Sequence, residues 1–123
     1  MFFKRKRVLL LDDDPSMRRL VRSILESEGF RVDEFLTGSE AIDAIGRRNY
    51  DAFLLDLMMP HEGGMTVIRH LREKKPELLK RAVLLTASPE SLVDTVSRHV
   101  HNVVHKPFKA ETLIEVVRRV SGK

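Results

Sequence analysis

The sequence predicts a doubly wound α/β domain, and three observations carry that prediction. Short apolar runs recur at Val8–Leu11, Ala52–Leu55, Ala82–Leu85 and Asn102–Val104, with a more polar fifth candidate at Arg31–Phe35. Segments with apolar residues at helical spacing lie between and after them. The length of 123 residues and the apolar content of 42% suit a single domain with one packed core. Strands alternating with helices favour a parallel sheet, whose right-handed crossovers lay helices on both faces.

Each element has a local reason. Val8–Leu11 is continuously apolar, as expected of a parallel strand covered on both sides. The first helix puts Met17, Leu20, Val21, Ile24 and Leu25 on one face and Arg18, Arg19 and Arg22 on the other. Pro15 suits its first turn, and Gly29 ends it. Arg31–Phe35 carries Arg31, Asp33 and Glu34, the composition of an edge strand. The second helix is expected to start at Ser39 as N-cap and to bury Ala41, Ile42 and Ile45. After the Ala52–Leu55 strand, a third helix follows Gly63-Gly64, buries Met65, Ile68 and Leu71, and stops before Pro76. Beyond Ala82–Leu85, Ser88-Pro89 opens a fourth helix with Leu92, Val93 and Val96 on its apolar face. The Asn102–Val104 strand leads to a fifth helix marked by Leu113, Val116, Val117 and Val120.

Composition removes several classes of function. The chain has no cysteine, which excludes disulfides and thiolate chemistry and favours a cytoplasmic setting. No apolar run approaches the roughly 20 residues needed to cross a bilayer. The absence of a GxxxxGK stretch excludes a P-loop nucleotide site. The formal charge of +4 is the charge of Lys4, Arg5, Lys6 and Arg7, so the rest of the chain is balanced. Residues 1–7 therefore read as a basic arm and residues 8–123 as the folded domain.

In doubly wound sheets, sites gather at the carboxyl ends of the strands. Here strand 1 ends in Asp12, Asp13 and Asp14, strand 3 in Asp56, strand 4 in Thr86, and strand 5 in His105, Lys106 and Pro107. Clustered carboxylates repel by about 4 kcal/mol per pair at 4 Å and an effective dielectric of about 20. Such a cluster calls for a cation, and hard oxygen ligands favour Mg²⁺. A metal-held carboxylate beside a fixed lysine and a hydroxyl is a phosphoryl acceptor site. Asp14, next to Pro15, is set to cap the first helix. The histidines do not compete as a metal site. His101 and His105 on one strand face would stand about 13 Å apart at roughly 3.3 Å per residue, too far to share one ion.

The stretches VLLLDDDPSMRRLV, YDAFLLDLMMP, AVLLTAS and VVHKPF, in this order, resemble the response regulator receiver domain of two-component signalling. The resemblance covers residues 8–121. It implies a flavodoxin-like (βα)5 sandwich with strand order 2-1-3-4-5. It also implies that Asp56 is the phosphoacceptor and that Asp13, Asp12 and the Met58 backbone carbonyl join Asp56 around Mg²⁺. Thr86 would be the switch hydroxyl and Lys106 the phosphate-binding ammonium, with a cis peptide before Pro107. The implied activity is signalling, not enzymatic turnover: a phosphoryl group passes from the phosphohistidine of a sensor histidine kinase or phosphotransfer protein to Asp56. A downstream protein, or a second copy, would then read the change on the helix 4–strand 5–helix 5 face. Neither membrane insertion nor direct nucleic-acid binding is expected.

Three positions depart from that pattern. Val103 stands where the family usually has an aromatic residue, so read-out by ring rotation is not available. The stretch from Thr86 to Lys106 is short, which predicts an abbreviated fourth helix or following loop. Met58 puts an apolar side chain beside the acceptor, which predicts a long-lived aspartyl phosphate. The alternative reading is a pseudo-receiver, a binding or dimerisation module that works without phosphate. A hydrolase of the haloacid dehalogenase type also uses a strand-end aspartate, but it needs a second Asp where this chain has Met58.

Overall fold

The computed structural model describes residues 5–59, 63–87 and 98–122. Five parallel strands, β1 (Arg7–Leu11), β2 (Arg31–Phe35), β3 (Ala52–Leu55), β4 (Ala82–Thr86) and β5 (Asn102–His105), form one sheet in the order β2-β1-β3-β4-β5. The helices are α1 (Pro15–Ser27), α2 (Gly38–Arg47), α3 (Gly64–Lys74) and α4 (Ala110–Ser121). The helix expected from Ser88 falls on residues 88–97, outside the described residues, so α4 is the helix expected as fifth. The strand β1 begins at Arg7, one residue inside the stretch assigned to the basic arm.

Alternation along each strand divides the core in two. Leu9, Leu11, Phe53, Leu55 and Leu84 face Ala41, Ile45, Val67 and Leu71 of α2 and α3. Val8, Leu10, Leu54, Val83 and Leu85 face Val21 and Leu25 of α1 and Leu113 and Val117 of α4. Burial on both faces is why β1, β3 and β4 read as unbroken apolar runs. A fully buried Leu or Val contributes roughly 1.5–3 kcal/mol, so these central strands anchor the fold.

The helix ends follow local chemistry. The Asp14 carboxylate accepts the Ser16 and Met17 N–H groups at 2.9 and 3.4 Å, capping α1. Gly29 adopts φ +90°, with its N–H on Glu26 O at 3.1 Å and the Phe30 N–H on Leu25 O at 3.1 Å. That pair of bonds is a Schellman closure, which needs the left-handed residue that glycine supplies. The N-cap of α2 is Thr37, not Ser39 as expected: its Oγ1 accepts the Glu40 N–H at 3.2 Å. Glu40 lies three residues beyond Thr37 and returns Oε1 to the Leu36 N–H at 3.3 Å. Ser39 is followed at that spacing by Ile42, which offers no such acceptor. A 3₁₀ helix at Pro76–Arg81, absent from the expected elements, joins α3 to β4 and packs Leu78 and Leu79 on the α2–α3 face.

Candidate functional site

Strand register assembles the site. Leu11 of β1 pairs with Leu55 of β3, so Asp12 and Asp56 are the next positions on neighbouring parallel strands. The Asp56 N–H continues that ladder to Leu11 O at 3.0 Å. Thr86 pairs with His105, and the Lys106 N–H bonds Thr86 O at 2.9 Å, which starts Lys106 back toward the centre of the rim. The Lys106 Nζ lies 2.9 Å from Asp12 Oδ2 and 3.5 Å from Asp56 Oδ2. Asp12, Asp13 and Asp56 each offer a carboxylate oxygen within 4.8 Å of the others. The Lys106-Pro107 peptide is cis.

Burial sets the electrostatics. Asp12 and Thr86 are fully buried and Asp56 is 3% exposed, while Asp13 is exposed. Burial pushes the Asp56 carboxyl above its ordinary value, and the neighbouring Asp12 charge adds to that rise. The Met58 N–H, donating to Asp56 Oδ1 at 2.9 Å, and the Lys106 ammonium work against it. For Lys106, burial favours the neutral amine, but hydrogen bonding and attraction from Asp12 and Asp56 outweigh it, and its net shift is upward. The ammonium therefore stays charged. Three carboxylates against one ammonium leave the rim electronegative. The donors are all hard oxygens, the set that suits Mg²⁺.

Two supporting residues were not singled out from sequence. The Arg18 Nη1 donates to the Asp12 backbone oxygen at 2.9 Å, while its Nε pairs with Glu34 Oε1 at 3.3 Å. It ties the acidic turn to the edge strand. Gly64 donates its N–H to Asp56 O at 2.8 Å, and a Cβ there would lie 2.7 Å from that oxygen. Gly63-Gly64 read only as a helix start; its closeness to Asp56 depends on how the chain returns after β3. Arg18 read only as the solvent face of an amphipathic helix.

The remaining expected features are placed as follows. The Met58 backbone N–H meets Asp56, and its side chain is 57% exposed. Val103 packs against the α2–α3 core. His105 is exposed, and the Nε2 of His99 lies 3.1 Å from Arg72 Nη1. Among the described residues, the carboxylate trio is the one grouping of three suited to a metal ion. No described helix is long and apolar enough to cross a membrane. Of the helix 4–strand 5–helix 5 face, β5 and α4 (the helix expected as fifth) are described; the expected fourth helix lies outside the described residues.

The sequence profile of the response regulator receiver domain matches residues 8–118. The chain is 40% identical over 118 residues to the transcriptional regulatory protein ResD of Bacillus subtilis, covering 94% of this chain and 47% of the relative. It is 37% identical over 117 residues to the DNA-binding response regulator MtrA of Mycolicibacterium smegmatis, covering 93% of this chain and 50% of the relative. It thus spans about half the length of these relatives. The crystal structure of the response regulator TrrA from Thermotoga maritima in complex with Mg²⁺-BeF is similar, with a TM-score of 0.82 at 34% identity over 94% of this chain and 98% of that one. So is the receiver domain of the sensor histidine kinase PA1611 from Pseudomonas aeruginosa, with magnesium coordinated in its active-site cleft. Its TM-score is 0.86 at 25% identity, over 98% of this chain and all of that one. Together with the strand order and the acidic rim, these likenesses place the chain in the response regulator receiver domain family, whose members signal within two-component systems.

Proposed function

We propose that the chain accepts a phosphoryl group on Asp56 from a phosphohistidine donor, a sensor histidine kinase or phosphotransfer protein, in a Mg²⁺-dependent reaction. One observation carries this reading: Asp12, Asp13 and Asp56 converge within 4.8 Å, with Lys106 Nζ 3.5 Å from Asp56 Oδ2. In the transfer, an Asp56 carboxylate oxygen forms the bond to phosphorus as the phosphorus–nitrogen bond to the donor imidazole breaks. The imidazole nitrogen leaves with the electron pair. Asp12, Asp13, Asp56 and the Met58 carbonyl would hold Mg²⁺, which when bound neutralises charge on the phosphoryl oxygens. The Lys106 ammonium does the same from the β5 side. The Met58 N–H holds Asp56 Oδ1, and Thr86 supplies a hydroxyl from the end of β4.

The new charge on Asp56 then biases partner binding on the helix 4–strand 5–helix 5 face, in the cytoplasm. The receiver domain begins with β1 at Arg7, and the basic stretch that precedes it is Lys4, Arg5 and Lys6. The second reading, a phosphate-independent binding or dimerisation module, draws on Val103, which offers no ring to rotate. Intact-mass measurement after incubation with Mg²⁺ and acetyl phosphate separates the two. A single phosphoryl adduct, lost in Asp56→Asn and lost without Mg²⁺, is the expected result. An unmodified wild-type mass with acetyl phosphate and with phosphohistidine donors selects the second reading.

A further inference from the structure

The amino end of the sheet carries a cleft that phosphoryl transfer does not use. It has a volume of about 690 Å³, is open to solvent, and is lined by Arg5, Lys6, Arg7, Arg31, Arg48 and Asp51, with Asn49 between the last two. An adjoining hollow of about 560 Å³ shares four of those arginines. In the first cleft, five cations face one carboxylate.

The carboxylates nearby are already engaged. Asp51 Oδ2 accepts the Arg7 backbone N–H at 2.8 Å. Asp33 pairs with the Arg7 guanidinium at 3.2 Å, accepts the Tyr50 hydroxyl at 2.7 Å, and lies 3.8 Å from Arg48. Arg22, at the edge of the adjoining hollow, is held by Glu26 and Glu34. Among the described residues, Arg5, Lys6 and Arg31 form no ion pair. Register adds a second, independent sign. Arg7 pairs with Arg31 across the parallel β1–β2 ladder, so two guanidinium side chains leave the same sheet face from strands about 4.8 Å apart. Asp33 offsets the Arg7 charge, which leaves Arg31 as the member of this cross-strand pair with no counter-charge among the described residues.

We propose that this cleft binds an oligophosphate, a compact soluble anion with two or more linked phosphates. Guanidinium forks match phosphate oxygens two at a time. The cleft volume lies within the roughly 300–1,000 Å³ of small-ligand sites. No aromatic ring lines it, so recognition is of phosphate and not of a stacked base. A concave cleft also suits a compact anion better than a duplex, whose phosphates lie along a convex rod. The site is at the opposite rim from Asp56 and does not depend on the phosphoacceptor reading.

The test is calorimetric titration of the full chain with inorganic tripolyphosphate at about 0.15 M salt, where exposed charges are largely screened. Monophosphate, an oligoglutamate peptide and a short DNA duplex run in parallel. Tripolyphosphate is expected to bind saturably at one site, more tightly than the other three, and to raise the unfolding midpoint. Arg48→Gln and Arg31→Gln should each weaken it by about tenfold. Both should still gain the Mg²⁺-dependent mass adduct if the wild type does. Arg31→Gln should keep or raise the ligand-free midpoint, because Arg31 has no ion pair to lose among the described residues. Should either variant fold poorly, Arg5→Gln at an exposed position reads the same loss. Absence of saturable tripolyphosphate binding, equal binding by the variants, or tighter binding of duplex or peptide overturns the proposal.

Discussion

The two rims of the sheet hold charge in opposite ways. At the carboxyl end, Asp12 and Asp56 are buried and like charges are forced together, with Lys106 between them. At the amino end, cations gather around an open cleft, where solvent screens them. The buried rim shifts proton affinities: burial displaces Asp56 upward, while Asp12 and Asp56 raise Lys106 against the effect of its own burial. At the open rim Arg7 and Arg48 share Asp33, while Arg5, Lys6 and Arg31 form no ion pair among the described residues. The difference teaches that burial, more than the number of charges, turns a cluster into reactive chemistry.

Removing the counter-charge from the buried rim is the largest way to disturb this contrast. Lys106→Ala leaves Asp12 and Asp56 without an ammonium. It should cost about 2 kcal/mol in metal-free buffer, less than for a fully enclosed pair because Nζ keeps some solvent. Added Mg²⁺ should restore part of the loss; denaturant titrations with and without the ion measure both. Gly64→Ala drives a Cβ against the Asp56 carbonyl and should cost roughly 1–3 kcal/mol at any pH, by the same titrations.

The next effect separates burial from pairing. Because burial raises the Asp56 pKa in the folded state, its protonated form is the more compatible with folding. That contribution is present below the ordinary value of 3.8 and is lost as pH rises through the displaced value. Metal-free Asp56→Asn should therefore be more stable than wild type at neutral pH, with the gap closing in acid. Thermal melts across that range, in chelator, check the sign. The smallest effect concerns lifetime: Met58→Asn should shorten the aspartyl phosphate several-fold by helping to position water, as phosphate-release kinetics would show. A rate that is unchanged or slower would set aside the part assigned to the Met58 side chain.

Much of the acidic rim was legible because strand ends are legible. Parallel strands write themselves as apolar runs, and the residue after each run must stand on the rim. Asp12, Asp56 and Thr86 were placed in this way, and Lys106 lies two residues past the last run. What could not be read depends on non-local return of the chain. Thr37 displaced Ser39 because its partner Glu40 completes a reciprocal cap. Gly64 matters because α3 begins against the Asp56 peptide, and Arg18 because α1 passes over the acidic turn. At the other rim the sequence showed only a basic arm. Arg31 and Arg48 reach it through the β1–β2 register and the turn before β3.

Asp56 is fastened at three points of its own residue: its amide to Leu11, its carbonyl to Gly64, and one carboxylate oxygen to Met58. A residue pinned this way behaves as an anvil, not a lever. Whatever displacement follows a load on its remaining oxygen must be taken up by surrounding segments, since the anchored peptide has no slack to give.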